Sequence, residues 1–123
     1  MMEKKILLVD DNVTLAECMH DILEIKGYKA KAVNSGKDAL SEIAKKPYDV
    51  VIMDIKMPEL DGVCTLIELK KIKPDMRVIM MTGFASGDRS SEALKAGALE
   101  VILKPIDFEK LFTSLNKLMK NNE

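Results

Sequence analysis

Four short, almost purely apolar runs, separated by stretches of helical period, leave this chain few ways to fold. Ile6-Leu7-Leu8-Val9, Val50-Val51-Ile52-Met53, Val78-Ile79-Met80-Met81 and Val101-Ile102-Leu103 are too short for helices and too apolar for strands with one wet face. They read as strands buried on both sides. A fifth segment, Lys29-Ala30-Lys31-Ala32-Val33, alternates charged and small residues, which suits a sheet edge. Short strands alternating with helical stretches are the pattern of βαβ units on a parallel sheet. With right-handed crossovers and the polar strand at the edge, the expected strand order is 2-1-3-4-5.

The intervening stretches carry helix signals. After strand one, Leu15, Met19, Ile22 and Leu23 share a face and Gly27 provides the stop. Ser35-Gly36-Lys37-Asp38 is a capping-box pattern, followed by Ala39, Leu40, Ile43 and Ala44, with Pro47 beyond the helix end. Helix three follows Pro58 and Gly62, places Val63, Leu66, Ile67 and Leu69 or Lys70 inward, and stops before Pro74. Ala93, Leu94 and Ala96 mark a short fourth helix after Gly83-Phe84-Ala85-Ser86-Gly87, which reads as a mobile loop. Asp107 caps a last helix that presents Phe108, Leu111, Phe112, Leu115 and Leu118 or Met119. The expected architecture is therefore α/β: a single doubly wound, flavodoxin-like sheet of five parallel strands with five flanking helices.

What ends the strands points to chemistry. Strand one runs into Asp10-Asp11, strand three into Asp54, strand four into Thr82-Gly83 and strand five into Lys104-Pro105. In open α/β sheets ligands bind beyond the carboxyl ends of the strands, where the strand order reverses, and here that is between strands one and three. Each residue alone has a duller explanation as a turn or cap residue; all of them at one edge do not. Two like charges at about 4 Å repel by about 4 kcal/mol at an effective dielectric of 20, a cost that a divalent cation removes. Oxygen donors without His or Cys favour Mg²⁺, or Mn²⁺, over zinc. Lys104 adds positive charge for a phosphoryl group, the Thr82 hydroxyl and Gly83 N–H suit phosphate oxygens, and an aspartate is a competent nucleophile toward phosphorus.

Other classes fall away on composition. With 19 basic and 20 acidic residues, net charge −1, the chain lacks the basic surface that nucleic-acid binding needs. At 123 residues it fits one domain that needs no disulfide or metal to fold. Cys18 and Cys64 each fall in a helical pattern and read as reduced core thiols. No apolar run is long enough for a membrane span or a signal-peptide core, so a cytoplasmic protein is expected. His20, the single histidine, reads as a surface residue.

These motifs together give a likeness. Ile6-Leu7-Leu8-Val9-Asp10-Asp11-Asn12, Asp54-Ile55-Lys56-Met57-Pro58-Glu59-Leu60-Asp61-Gly62, Met81-Thr82-Gly83, Ala96-Gly97-Ala98 and Lys104-Pro105 resemble the receiver domains of two-component response regulators over essentially the whole chain. The resemblance implies one receiver domain over residues 1–123 with no output domain in it. It implies that Asp54 accepts a phosphoryl group from a histidine kinase, a phosphotransfer protein or a small acyl phosphate, and that the domain catalyses only its own phosphorylation and slow dephosphorylation. Asp11 would ligate Mg²⁺ directly and Asp10 mainly through water, with Asp54 and the Lys56 carbonyl completing the shell. The Lys104–Pro105 peptide would be cis, which proline tolerates. Thr82 would be drawn inward after phosphorylation, with readout at helix four, strand five and helix five by a downstream protein or an output domain. The domain would be a monomer or a phosphorylation-dependent dimer, without membrane or direct nucleic-acid contact.

The chain departs from this family at one place. Receivers of this type mostly carry Tyr or Phe three residues before the lysine, where this chain has Val101, so relay through an aromatic side chain is impossible here. Phe84 and Lys56, two residues after Thr82 and Asp54, would flank the phosphoryl group and set its lifetime. A degenerate receiver that only binds a partner is the main alternative. An aspartyl-phosphate phosphohydrolase needs a second Asp where Lys56 stands, and a nucleotide-binding module needs a glycine-rich loop after strand one.

Overall fold

The computed structural model describes residues 4–83 and 88–120. Five strands, β1 (Lys5–Val9), β2 (Lys29–Val33), β3 (Val50–Asp54), β4 (Arg77–Thr82) and β5 (Glu100–Leu103), alternate with α1 (Val13–Ile25), α2 (Gly36–Lys45), α3 (Gly62–Ile72), α4 (Asp88–Lys95) and α5 (Phe108–Lys120). All strand pairs are parallel and the order is β2-β1-β3-β4-β5. The polar strand β2 is an edge and the apolar β1, β3 and β4 are internal, as their patterns require; the apolar run of β5, expected to be buried on both sides, is instead the other edge and only half-buried.

The period-two pleat of the strands sorts the core into two layers. Leu7, Val9, Val51, Met53, Val78 and Met80 face Ala39 and Ile43 of α2, Val63, Leu66 and Leu69 of α3, and Ala93 of α4. Ile6, Leu8, Val50, Ile52, Ile79 and Met81 face Met19 and Leu23 of α1 and Leu111, Leu115 and Met119 of α5. Because both faces are covered, every residue of β3 is buried, Asp54 included. The register Val9↔Met53 brings the ends of β1 and β3 side by side.

Helix starts are capped by short polar side chains. The N–H of Leu15 donates to Asn12, that of Asp38 to Ser35, that of Cys64 to Asp61 and that of Lys110 to Asp107, each satisfying a donor that the helix leaves open. Gly27 adopts φ 99° after α1, the left-handed geometry that glycine adopts at little cost.

Several sequence expectations need correction. Cys18 and Cys64 are exposed, not core thiols. The buried positions of α1 are Ala16, Met19 and Leu23, and those of α3 are Gly62, Val63, Thr65, Leu66 and Leu69; the cysteines fall outside both stripes. Ile67, 43% exposed, and Ala44 likewise point outward. The loop expected to be mobile and the Phe84 position lie outside the described residues. Among the described residues no helix is long and apolar enough to cross a membrane.

At the amino ends of the strands, polar side chains close on defined partners. Asp49 accepts the Lys5 N–H at 2.7 Å and returns its own N–H to the Lys5 carbonyl at 2.8 Å. Tyr48 donates its hydroxyl to Glu42 at 2.6 Å, Arg77 reaches the Leu118 carbonyl at 2.6 Å, and Lys70 reaches the Met76 carbonyl at 2.7 Å. Burial and the Glu42 carboxylate push the Tyr48 phenol well above its ordinary range, and the Tyr48 hydrogen bond holds the Glu42 carboxyl below its own.

Candidate functional site

The site is assembled by strand register at the carboxyl edge. Asp10 follows β1, and its N–H donates to the Val33 carbonyl at 3.1 Å. Asp54 ends β3, and the Ile55 N–H donates to the Met81 carbonyl at 2.8 Å, so the backbone on each side of the cleft is held by a neighbouring strand. Asp10, Asp11 and Asp54 each offer a carboxylate oxygen within 4.8 Å of the others. Asp10 is 1% and Asp54 6% exposed, while Asp11 is exposed.

Lys104 reaches over from the end of β5. Its ammonium donates to Asp54 Oδ2 at 2.7 Å and to Asp10 Oδ2 at 3.0 Å. Its backbone N–H donates to the Thr82 carbonyl at 2.8 Å, which fixes its start point, and the Lys104–Pro105 peptide is cis. Thr82, buried at the end of β4, stands beside it. The remaining carboxylate oxygens are met by backbone: the Asn12 N–H donates to Asp10 Oδ1 at 2.9 Å, and the Lys56 N–H to Asp54 Oδ1 at 3.3 Å.

The loop after Asp54 is tightly folded. The Gly62 N–H donates to the Ile55 carbonyl at 2.7 Å, and a Cβ at Gly62 would lie 2.2 Å from the Asp54 carbonyl oxygen, so only glycine fits this close approach. Glu59 supplies the turn at φ 65°.

The charges do not balance. Among the described residues no buried side-chain polar atom lacks a hydrogen-bond partner, yet Asp10 and Asp54 share the Lys104 ammonium and the Asp11 carboxylate lies close to both. Burial pushes the Asp54 carboxyl above the usual carboxylate range; Lys104 offsets part of that and Asp10 adds to it. Burial works against the charged form of Lys104 too, but Asp54 and Asp10 outweigh it and hold the ammonium pKa above its ordinary value. The surplus negative charge faces an open cleft of about 670 Å³ lined by Asp10, Asp11, Asn12, Asp54, Lys56 and Lys104, among others. All-oxygen donors, two of them buried and under-neutralised, fit a hard divalent cation such as Mg²⁺ or Mn²⁺.

The structure thus brings Asp10, Asp11, Asp54 and Lys104 together, with Lys56 and Gly83 at the cleft rim. Val101 is half-buried and packs against the core layer that contains Val78, Met80 and Ala93. Sequence reading missed Asn34, whose side-chain amide donates to the Asp10 carbonyl at 3.0 Å and braces the turn after β1 from the edge strand. Its signal is positional: Val33 pairs with Val9, so Asn34 follows β2 as Asp10 follows β1.

Comparisons with known proteins agree with this geometry. The response regulator receiver domain family matches residues 6–116. The transcriptional regulatory protein ZraR of Salmonella typhimurium is 40% identical over 114 residues, covering 93% of this chain and 26% of that protein. The chain therefore spans about a quarter of the length of that relative. The chemotaxis protein CheY of Thermotoga maritima is 33% identical over 120 residues, covering 97% of this chain and all of that one. The response regulator TrrA of Thermotoga maritima, solved in complex with Mg²⁺ and BeF, superposes with a TM-score of 0.85 at 33% identity, covering 94% of this chain and 98% of that one.

Proposed function

The chain belongs to the response regulator receiver domain family, and on that premise we propose that it is a phosphoacceptor switch whose reacting residue is Asp54. The observation that carries this reading is the convergence of three carboxylates and the Lys104 ammonium on one cleft, with Asp54 nearly buried at its floor. A carboxylate that pairs with a single lysine and is raised in pKa by burial is held ready for a change of charge state.

In the proposed reaction an oxygen of Asp54 attacks phosphorus in line. A P–O bond to the carboxylate forms as the bond to the donor breaks, and the bonding electrons leave with the donor, a kinase histidine or a small acyl phosphate. Such transfer depends on positioning and charge neutralisation. Lys104 donates to the transferring oxygens, and the Thr82 hydroxyl and Gly83 N–H receive the phosphoryl group once attached. Asp10, Asp11, Asp54 and the Lys56 carbonyl would hold Mg²⁺, which would offset the surplus carboxylate charge and withdraw charge from the phosphoryl oxygens. The Mg²⁺ and BeF complex of the Thermotoga TrrA relative supports this reading.

The attached group shifts a two-state equilibrium. Contacts made only in the phosphorylated state favour it in proportion to their differential free energy. The exposed Leu94, Leu99 and Leu103, each about half exposed, give the α4–β5 side an apolar surface for a downstream protein or for an output domain of a longer regulator. Lys56, at the rim of the cleft, flanks the phosphoryl group and sets its lifetime. Incubation with Mg²⁺ and acetyl phosphate tests the reading: intact-protein mass rises by one phosphoryl group, and the increment is absent in Asp54→Asn. Continued labelling of that variant would refute the assignment.

A further inference from the structure

Helix α4 is held to the protein unlike its neighbours. Of its described side chains only Ala93 is fully buried, Arg89 and Ser90 are half-buried, and Ser91, Glu92, Leu94 and Lys95 are exposed. The helices packed beside it bury several large residues each; α4 buries one methyl group. Its position therefore depends on something other than apolar packing.

The geometry points to Arg89 as that attachment. Its guanidinium forms an ion pair with the Asp61 carboxylate, and its other amino group pairs with Glu92 one turn along α4. Asp61 belongs to the loop that follows Asp54. One of its oxygens caps α3 through the Cys64 N–H at 2.9 Å, and its carbonyl accepts the Thr65 hydroxyl at 2.8 Å. The next residue, Gly62, bonds the Ile55 carbonyl at 2.7 Å, and Ile55 follows the phosphoacceptor directly. A continuous chain of contacts thus runs from Asp54 through Ile55, Gly62 and Asp61 to Arg89 on α4.

We propose that the Arg89–Asp61 pair is a strap that holds α4 in its unphosphorylated position and is broken on phosphorylation, so that it couples Asp54 to α4 without an aromatic residue at position 101. This rests on the phosphoacceptor reading above. The pair spans two elements, so a movement of α4 relative to the loop must stretch it, and a contact present in one state alone favours that state. Both partners are partly exposed, 44% and 33%, which keeps the strap weak enough to be broken by a few new hydrogen bonds. Arg89 acts through Asp61 and touches no reacting atom; it is a positioning residue.

A double-mutant cycle tests the strap. Arg89→Gln and Asp61→Asn each remove the charge, and Asn keeps an oxygen to cap α3. Affinity for BeF₃⁻ with Mg²⁺, read by a spectroscopic or thermal titration, should rise about two- to fivefold in each variant, the span of a partly exposed ion pair. The double variant should gain no more than either single one, and Arg89→Lys should stay near the parent. Unchanged affinity in both single variants, or a double variant equal to the product of the two, overturns the strap alone. A parent protein that binds no BeF₃⁻ overturns the phosphoacceptor reading and the strap with it.

Discussion

At the amino ends of the strands Asp49, Tyr48, Arg77 and Lys70 each close on a defined partner, whereas at the carboxyl ends Asp10 and Asp54 share the ammonium of Lys104 with the Asp11 carboxylate close beside them. One sheet supports both arrangements, and the helices cover both faces along its length. The amino end is arranged so that polar groups hold the fold. The carboxyl end leaves charge unneutralised in a nearly buried place, which costs stability and suits a site that awaits a cation and a phosphoryl group. Removal of a carboxylate at the carboxyl end should therefore raise stability, whereas removal of its ammonium, or of a polar partner at the amino end, should lower it.

The largest effect is expected at Lys104. Lys104→Met leaves two buried carboxylates facing each other without a counter-charge, and removal of one partner of a buried pair costs about 3–5 kcal/mol. Chemical denaturation should show that loss, and added Mg²⁺ should restore part of it. A loss under 1 kcal/mol would mean that the carboxylates are not strained.

Asp54→Asn should act the other way and raise stability at neutral pH by about 1–3 kcal/mol, because the folded protein holds this carboxyl above its ordinary pKa, chiefly through burial. A group with a raised folded pKa contributes its stability fully below its unfolded pKa and loses it as pH rises through the folded value. The gap between the variant and the parent should therefore close as pH falls through the raised Asp54 value, which denaturation curves at several pH values would show.

At the amino end, Tyr48→Phe should cost about 1–2 kcal/mol through loss of a hydrogen bond to a charged group. The Glu42 carboxyl is held low mainly by that bond. Its contribution is present above the unfolded carboxylate pKa and is lost as pH falls through the lowered folded value. The Tyr48→Phe deficit should accordingly shrink in acid, and a deficit that stays constant across the pH range would contradict this.

Much of this contrast is readable before folding. Strand order follows from the apolar runs and the alternating Lys29–Val33 segment, because burial on both faces and a sheet edge impose different patterns. The carboxyl-end cluster is readable because strand ends align by register. What escaped the sequence depends on tertiary partners. Cys18 and Cys64 sit one position away from buried Met19 and Val63, and a helix turns about 100° per residue, enough to carry them out of the core. Asn34 and Arg89 find their partners 24 and 28 residues away, and no local spacing announces such pairs. The amino-end contacts of Asp49 and Arg77 are hidden for the same reason.

The central claim is that the surplus charge at the carboxyl end is a cation site, and a Mg²⁺ titration of the thermal midpoint tests it most directly. Mg²⁺ at a hundred times its dissociation constant should stabilise the parent by about 2.7 kcal/mol. The increment should be intact in Tyr48→Phe, at the other end of the sheet, and lost in a variant with Asp11→Asn and Asp54→Asn together. A midpoint in the parent that does not respond to Mg²⁺, or an increment that survives in the double variant, would contradict the account.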